Sequence, residues 1–278
     1  MSGNDTLTKA SRYKPTSYFL LTIVITTIFW IIGAYYSFEP NNQYYVIFLL
    51  IGLVTPSIVA LVMILNAKEQ AIKSLFFKKL VDIRGMNLKL LPLLLLLMPL
   101  SVVVSIFLST LIGESLTQQL IISERFSFST GFVPVLLLLL FAAIFEELGW
   151  RGYGFESLHS RFNFFYASLY FSFLWAIWHL PLVVVNNSYQ YEIMQQNYWY
   201  AVNFFISIVP MGMIVSWICY KNNGSILIAI VFHFIINISQ EALEITQTTK
   251  MVQTFVLFFV VAALIYYDKK LYFKKIDS

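Results

Sequence analysis

Val133-Pro134-Val135-Leu136-Leu137-Leu138-Leu139-Leu140-Phe141-Ala142-Ala143-Ile144 runs without a charge into Phe145-Glu146-Glu147-Leu148-Gly149-Trp150-Arg151. A segment this apolar reads as part of a membrane-spanning helix. Ionisable groups at membrane depth cost roughly 2.5–3.5 kcal/mol each on insertion, so the two carboxylates and the arginine are functional candidates. Glu147 and Arg151 are four apart and share a helix face, where they can pair. Glu146 is turned about 100° away and has no obvious local partner. A carboxylate left alone in apolar surroundings suits a proton-transfer group.

The rest of the chain has the same character. Of 278 residues, 59% are hydrophobic and 12% charged, and the mean hydropathy is +0.76. A soluble domain carries about twice that charged fraction. The expected fold is therefore all-α, a polytopic membrane protein. Eight apolar stretches mark the spans: 18–37, 43–65, 90–112, 132–150, 164–185, 199–220, 225–239 and 251–267. In lipid they must be helices, because an open strand leaves its backbone unpaired. No internal repeat or soluble domain interrupts them. One membrane domain covers 1–278, with a motif-bearing core at 130–240 and polar tails at 1–17 and 268–278.

Charge sets the orientation. Sixteen of the eighteen lysines and arginines fall in the N-terminal segment, in the 66–89, 151–163 and 221 connections, and in the C-terminal tail. Only Arg125 and Lys250 fall on the other side. The positive-inside rule then puts both termini in the cytoplasm, which an even number of spans allows. The net charge of +4 is this loop pattern and not a nucleic-acid footprint. Within 66–89, the stretch Ala71-Ile72-Lys73-Ser74-Leu75-Phe76-Phe77-Lys78-Lys79-Leu80 reads either as an amphipathic surface helix or as a basic topological determinant. The segment Asn186-Asn187-Ser188 is formally a glycosylation sequon and carries no weight here.

Few other ionisable groups lie within the apolar stretches. His179 stands in Trp175-Ala176-Ile177-Trp178-His179-Leu180-Pro181, and His233 in Phe232-His233-Phe234-Ile235-Ile236-Asn237. His159 falls in a polar connection and reads as a solvated loop residue. With Glu146 and Glu147, the two apolar histidines should face one interior site. His233 and Asn237 share a helix face and can both donate to a developing oxyanion. Pro181 should break the fifth span just past His179 and open a cavity there. On this reading Glu146 takes a proton from a water held between it and His179, and the water attacks a peptide carbonyl. His233 and Asn237 hold the tetrahedral oxyanion. Glu147 and Arg151 orient the helix end and are candidates to bind a substrate carboxylate. Glu146, His179 and His233 are also an adequate zinc ligand set, although the close-spaced helical pair of a His-Glu-x-x-His site is absent. Spacing leaves both water-activating schemes open. Cys219, the single cysteine, reads as packing. No nucleophile elbow, phosphate loop or dinucleotide fingerprint occurs.

At these residues the chain resembles the CPBP family of intramembrane endopeptidases, which includes the type II CAAX prenyl endopeptidases. Glu-Glu-x-x-x-Arg is met at Glu146, Glu147 and Arg151, and His-x-x-x-Asn at His233 and Asn237. Phe-x-x-x-His is met at His179, with Trp175 in place of phenylalanine. The resemblance implies proteolysis at the cytoplasmic side of the membrane, by the metal-free scheme in preference to the zinc one, with Glu146 and His179 activating water and His233 and Asn237 as the oxyanion pair. In the CAAX branch the enzyme removes the last three residues after a prenylated cysteine. The substrate is then a prenylated or membrane-associated peptide within the lipid bilayer, and the enzyme sits in the cell membrane of a prokaryote or the endoplasmic reticulum of a eukaryote. Bacteriocin self-immunity or peptide maturation is the alternative substrate reading. A proton-coupled transporter is the alternative class, disfavoured because the first half of the chain holds no counterpart of the ionisable set.

Overall fold

A computed structural model describes residues 13–40, 43–81, 86–123 and 134–274. The long helices are α1 (Pro15–Ser37), α2 (Tyr45–Leu65), α3 (Gln70–Val81), α4 (Leu91–Thr110) and α5 (Val135–Gly149). They continue as α6 (Phe164–His179), α7 (Tyr189–Gln196), α8 (Tyr198–Lys221), α9 (Ile226–Glu241) and α10 (Gln247–Tyr267). The described residues are helical or in turns, with one isolated bridge between Ile122 and Leu243 and no strand. The protein is all-α and integral to the membrane.

Among the described residues, six helical segments are long and apolar enough to cross a bilayer: α1, α2, Leu88–Thr110, Phe164–Val184, α8 and α10. The other two expected spans are α5, of 15 residues, and α9, of 16. Both carry motif residues, and both are shorter than the ~20 residues a lone span needs. The backbone of α5 does not stop at Gly149, however. It passes through a π-helical turn, Trp150–Gly154, into a further helical turn, Phe155–His159. Such π turns insert an extra residue and re-aim the side chains around them.

Helix α2 contains Pro56, which has no N–H to give the carbonyl of Gly52. That carbonyl accepts from Thr26 Oγ1 of α1 at 3.2 Å, and Thr26 in turn accepts from Trp178 Nε1 of α6 at 2.9 Å. One proline thus joins three helices behind the site. On the other flank, Gly149 lies so close to Pro56 that a Cβ there would sit 2.4 Å from the proline backbone. Ser57 Oγ also donates to the Phe145 carbonyl. These contacts set α5 against α2 immediately beside Glu146.

Helix α3 forms where the basic amphipathic stretch was expected. Its Ile72 and Phe76 are buried in the main apolar core, and the Phe76 ring meets Gly152. Its apolar face is turned to the protein. Two expectations are corrected here. His159 is no solvated loop residue, because its ring packs among Phe155, Phe164 and Tyr220. The segment after 268 is not simply a polar tail either. Lys269–Tyr272 is helical, Tyr272 is fully buried against Phe164, and Asp268 accepts from Trp217 Nε1 at 3.0 Å.

Candidate functional site

Glu146, His179, His233 and Asn237 line one cavity of about 300 Å³. Their convergence depends on the continuation of α5. Read as the end of a span, Glu146 would sit near the surface while His179 lies ~22 Å along α6. With the helical backbone running on to His159, Glu146 is thirteen residues from that end, or ~20 Å. The two levels match. Pro181 acts as expected, since α6 ends at His179 and continues as a 3₁₀ segment, Leu180–Val184.

Glu146 is not without partners. Its Oε2 accepts from Trp175 Nε1 at 2.9 Å and from Trp150 Nε1 at 3.3 Å, with both indoles buried. Trp150 is four residues on, so the helical i, i+4 relation held that signal. Trp175 comes from α6 and stands where the resembled motif has phenylalanine, a ring with no donor. With Oε2 occupied by two donors, Oε1 is the oxygen left to handle a proton.

Glu147 points away from this arrangement. Its Oε1 accepts from His233 Nδ1 at 2.8 Å, and its Oε2 lies 3.4 Å from Arg151 Nε without hydrogen-bond geometry. The guanidinium stacks over Phe171, its carbon 4.2 Å from the ring centroid, and Arg151 is only 2% exposed. The expected Glu147–Arg151 pair is present. Arg151 does not line the cavity, however, so the carboxylate-binding role expected of it has no access.

The histidines are held by their Nδ1 atoms. His179 Nδ1 donates to the Trp175 carbonyl at 2.8 Å, which leaves Nε2 for other partners. The ring packs on Trp178 and Phe204. His233 lies edge-on to Trp175 with centroids 5.4 Å apart. Asn237, one turn beyond His233, donates Nδ2 to the Leu139 carbonyl at 3.4 Å, a long bond that leaves its amide ready for a better acceptor. Cys219 is buried, as expected of packing, and its Sγ donates to the Ser225 carbonyl.

The zinc alternative requires Glu146, His179 and His233 to converge on one ion. Among the described residues no three His, Cys, Asp or Glu side chains are arranged to hold a metal. The donor set as placed does not fit one.

The cavity runs from these residues to one end of the bundle. Its outer wall is Tyr45 at the start of α2, Ser188, Tyr200 near the start of α8, Glu241 at the end of α9, and Lys250 near the start of α10. The start of α1, the end of α10 and the start of α6 lie at the opposite end. Cytoplasmic termini and a site open to the cytoplasm were both expected, and this geometry does not allow the two together.

Comparison with known proteins agrees with the motifs. Residues 128–239 match the family model described as type II CAAX prenyl endopeptidase Rce1-like. The chain is 51% identical over 266 residues to CAAX prenyl protease 2 of Methanococcus maripaludis, covering 95% of this chain and 98% of that one. Identity at this level along nearly the whole length, with Glu146, His179, His233 and Asn237 of the motifs around one cavity, places the chain in the family of type II CAAX prenyl endopeptidases.

Proposed function

We propose that this chain is an intramembrane endopeptidase that removes the C-terminal tripeptide after a prenylated cysteine by a metal-free, glutamate-activated water. The observation that carries the reading is the sharing of one cavity by Glu146, His179, His233 and Asn237. Glu146 Oε1 accepts the proton of a water that His179 Nε2 helps to hold, and the resulting hydroxide adds to the scissile carbonyl. Asn237 Nδ2 and His233 Nε2 donate to the oxyanion. Donation from Nε2 while Nδ1–H is bound to Glu147 needs both ring nitrogens protonated, and the Glu147 carboxylate is the counter-charge for that ring. Glu146 then returns its proton to the leaving amine. Leu49, Leu50 and Leu53 of α2 form an apolar wall of the cavity suited to an isoprenoid chain. Incubating detergent-purified protein with a farnesylated peptide should release its last three residues, at a rate unchanged by a strong zinc chelator. Loss of cleavage on chelation, restored by zinc, would overturn the metal-free chemistry.

We infer from the charge asymmetry which membrane face the cavity meets. Among the described residues, eleven lysines and arginines besides the buried Arg151 lie at the end where α1 starts and α10 finishes, and Lys250 alone lies at the cavity end. By the positive-inside rule the cavity opens on the extracytoplasmic face. In a Cys219→Ser background, Gln195→Cys in α7 reports the cavity end and Lys274→Cys the terminal end. A membrane-impermeant maleimide should label the first in intact cells and the second only after the cells are opened. The reverse pattern would put the site on the cytoplasmic face.

A further inference from the structure

A tripeptide leaving group ends in a free carboxylate, and a site that cuts three residues from a chain end benefits from a cation that reads that end. Arg151 is sealed away from the cavity. Among the described residues that line the cavity, Lys250 is the only lysine or arginine. By sequence alone it is one of two basic residues on its side of the membrane.

Lys250 is held in place but not neutralised. Its Nζ lies 4.6 Å from the centroid of the Tyr189 ring and donates to the Tyr189 hydroxyl at 3.0 Å. That hydroxyl donates onward to Gln247 Oε1 at 3.0 Å. Of the ammonium's three N–H groups, one is used by the phenol. Among the described residues no carboxylate lies within ion-pair distance of it. Glu241 lines the same end of the cavity and supplies negative charge of its own, so the lysine's neighbourhood is polar without being an ion pair.

The spacing suits the leaving group. His233, Asn237 and Gln240 all line the cavity along α9, and Gln240 Nε2 donates to Gln253 Oε1 of α10 at 3.0 Å. Lys250 is three residues nearer the cavity mouth than Gln253. From a point midway between His233 and Asn237 to the level of Gln240, and on by one turn of α10, is ~12 Å at 1.5 Å per residue. Three extended residues span roughly 10–11 Å.

We propose that Lys250 binds the C-terminal carboxylate of the substrate and so sets the length of the peptide removed. The inference rests on the tripeptide-cleaving reading above. The test is the ratio of kcat/KM for a farnesylated peptide with a free C-terminal carboxylate to that for the same peptide amidated. Wild type should prefer the acid by about tenfold or more, the scale of a hydrogen bond to a charged group. Lys250→Met should bring the ratio close to one, chiefly by raising KM for the acid, while Lys250→Arg keeps the preference. Cleavage of the amide by Lys250→Met shows in the same assay that the variant is folded. An acid preference that survives Lys250→Met, or a wild type indifferent to amidation, would overturn the assignment. A wild type that cuts neither peptide would overturn the tripeptide-cleaving reading, and this inference with it.

Discussion

Glu146→Gln is expected to lower kcat on a farnesylated peptide by at least 10²–10⁴-fold, the range for loss of a general base, while the melting temperature in detergent changes little. The substitution is close to isosteric, and the amide oxygen can still accept from Trp175 and Trp150, so the side chain should remain where the carboxylate was. What it loses is the capacity to take a proton. Position and chemistry are thereby separated, as they are not in Glu146→Ala, which also leaves two buried indole N–H groups without an acceptor. A Glu146→Gln protein keeping more than about a tenth of wild-type kcat would remove Glu146 from the role of base, since general-base loss costs at least ~10²-fold. The carboxylate would then serve only to order the tryptophans.

The site was legible in the sequence because its chemistry is rare where it occurs. Glu146, Glu147, His179 and His233 stand out against helices with almost nothing else that titrates, and the cost of placing them there drew them together. Their depth was not legible. The continuation of α5 through Trp150–Gly154 to His159 contains Arg151, Glu156 and His159, which by composition reads as a loop. Only the fold shows Arg151 fully packed over Phe171, its charge met by Glu147. The Trp150 bond to Glu146 follows from helical spacing, whereas the Trp175 bond joins residues 29 apart and needs the packing of α6 on α5. Lys250 reads as topology because its cavity is lined by seven other helices as well as its own, which no local pattern encodes.

Glu147→Gln should cost the protein more stability than any other single change at the site. It leaves the Arg151 guanidinium, 2% exposed, without its carboxylate, and removing one partner of a buried ion pair costs about 3–5 kcal/mol. Activity should fall as well, because the glutamine carbonyl can accept from His233 Nδ1 but supplies no counter-charge for a doubly protonated ring. The two effects can be told apart by adding Arg151→Met, which removes the stranded cation and leaves an apolar chain over Phe171. Replacing both members of a buried pair is often close to neutral. The double variant should therefore recover most of the melting temperature lost by Glu147→Gln while staying as inactive on the farnesylated peptide. If activity returned together with stability, Glu147 would be only the neutraliser of Arg151, and His233 would need no help from it. If neither returned, the pair would be holding the π turn itself, and with it Trp150 and the far end of the cavity wall.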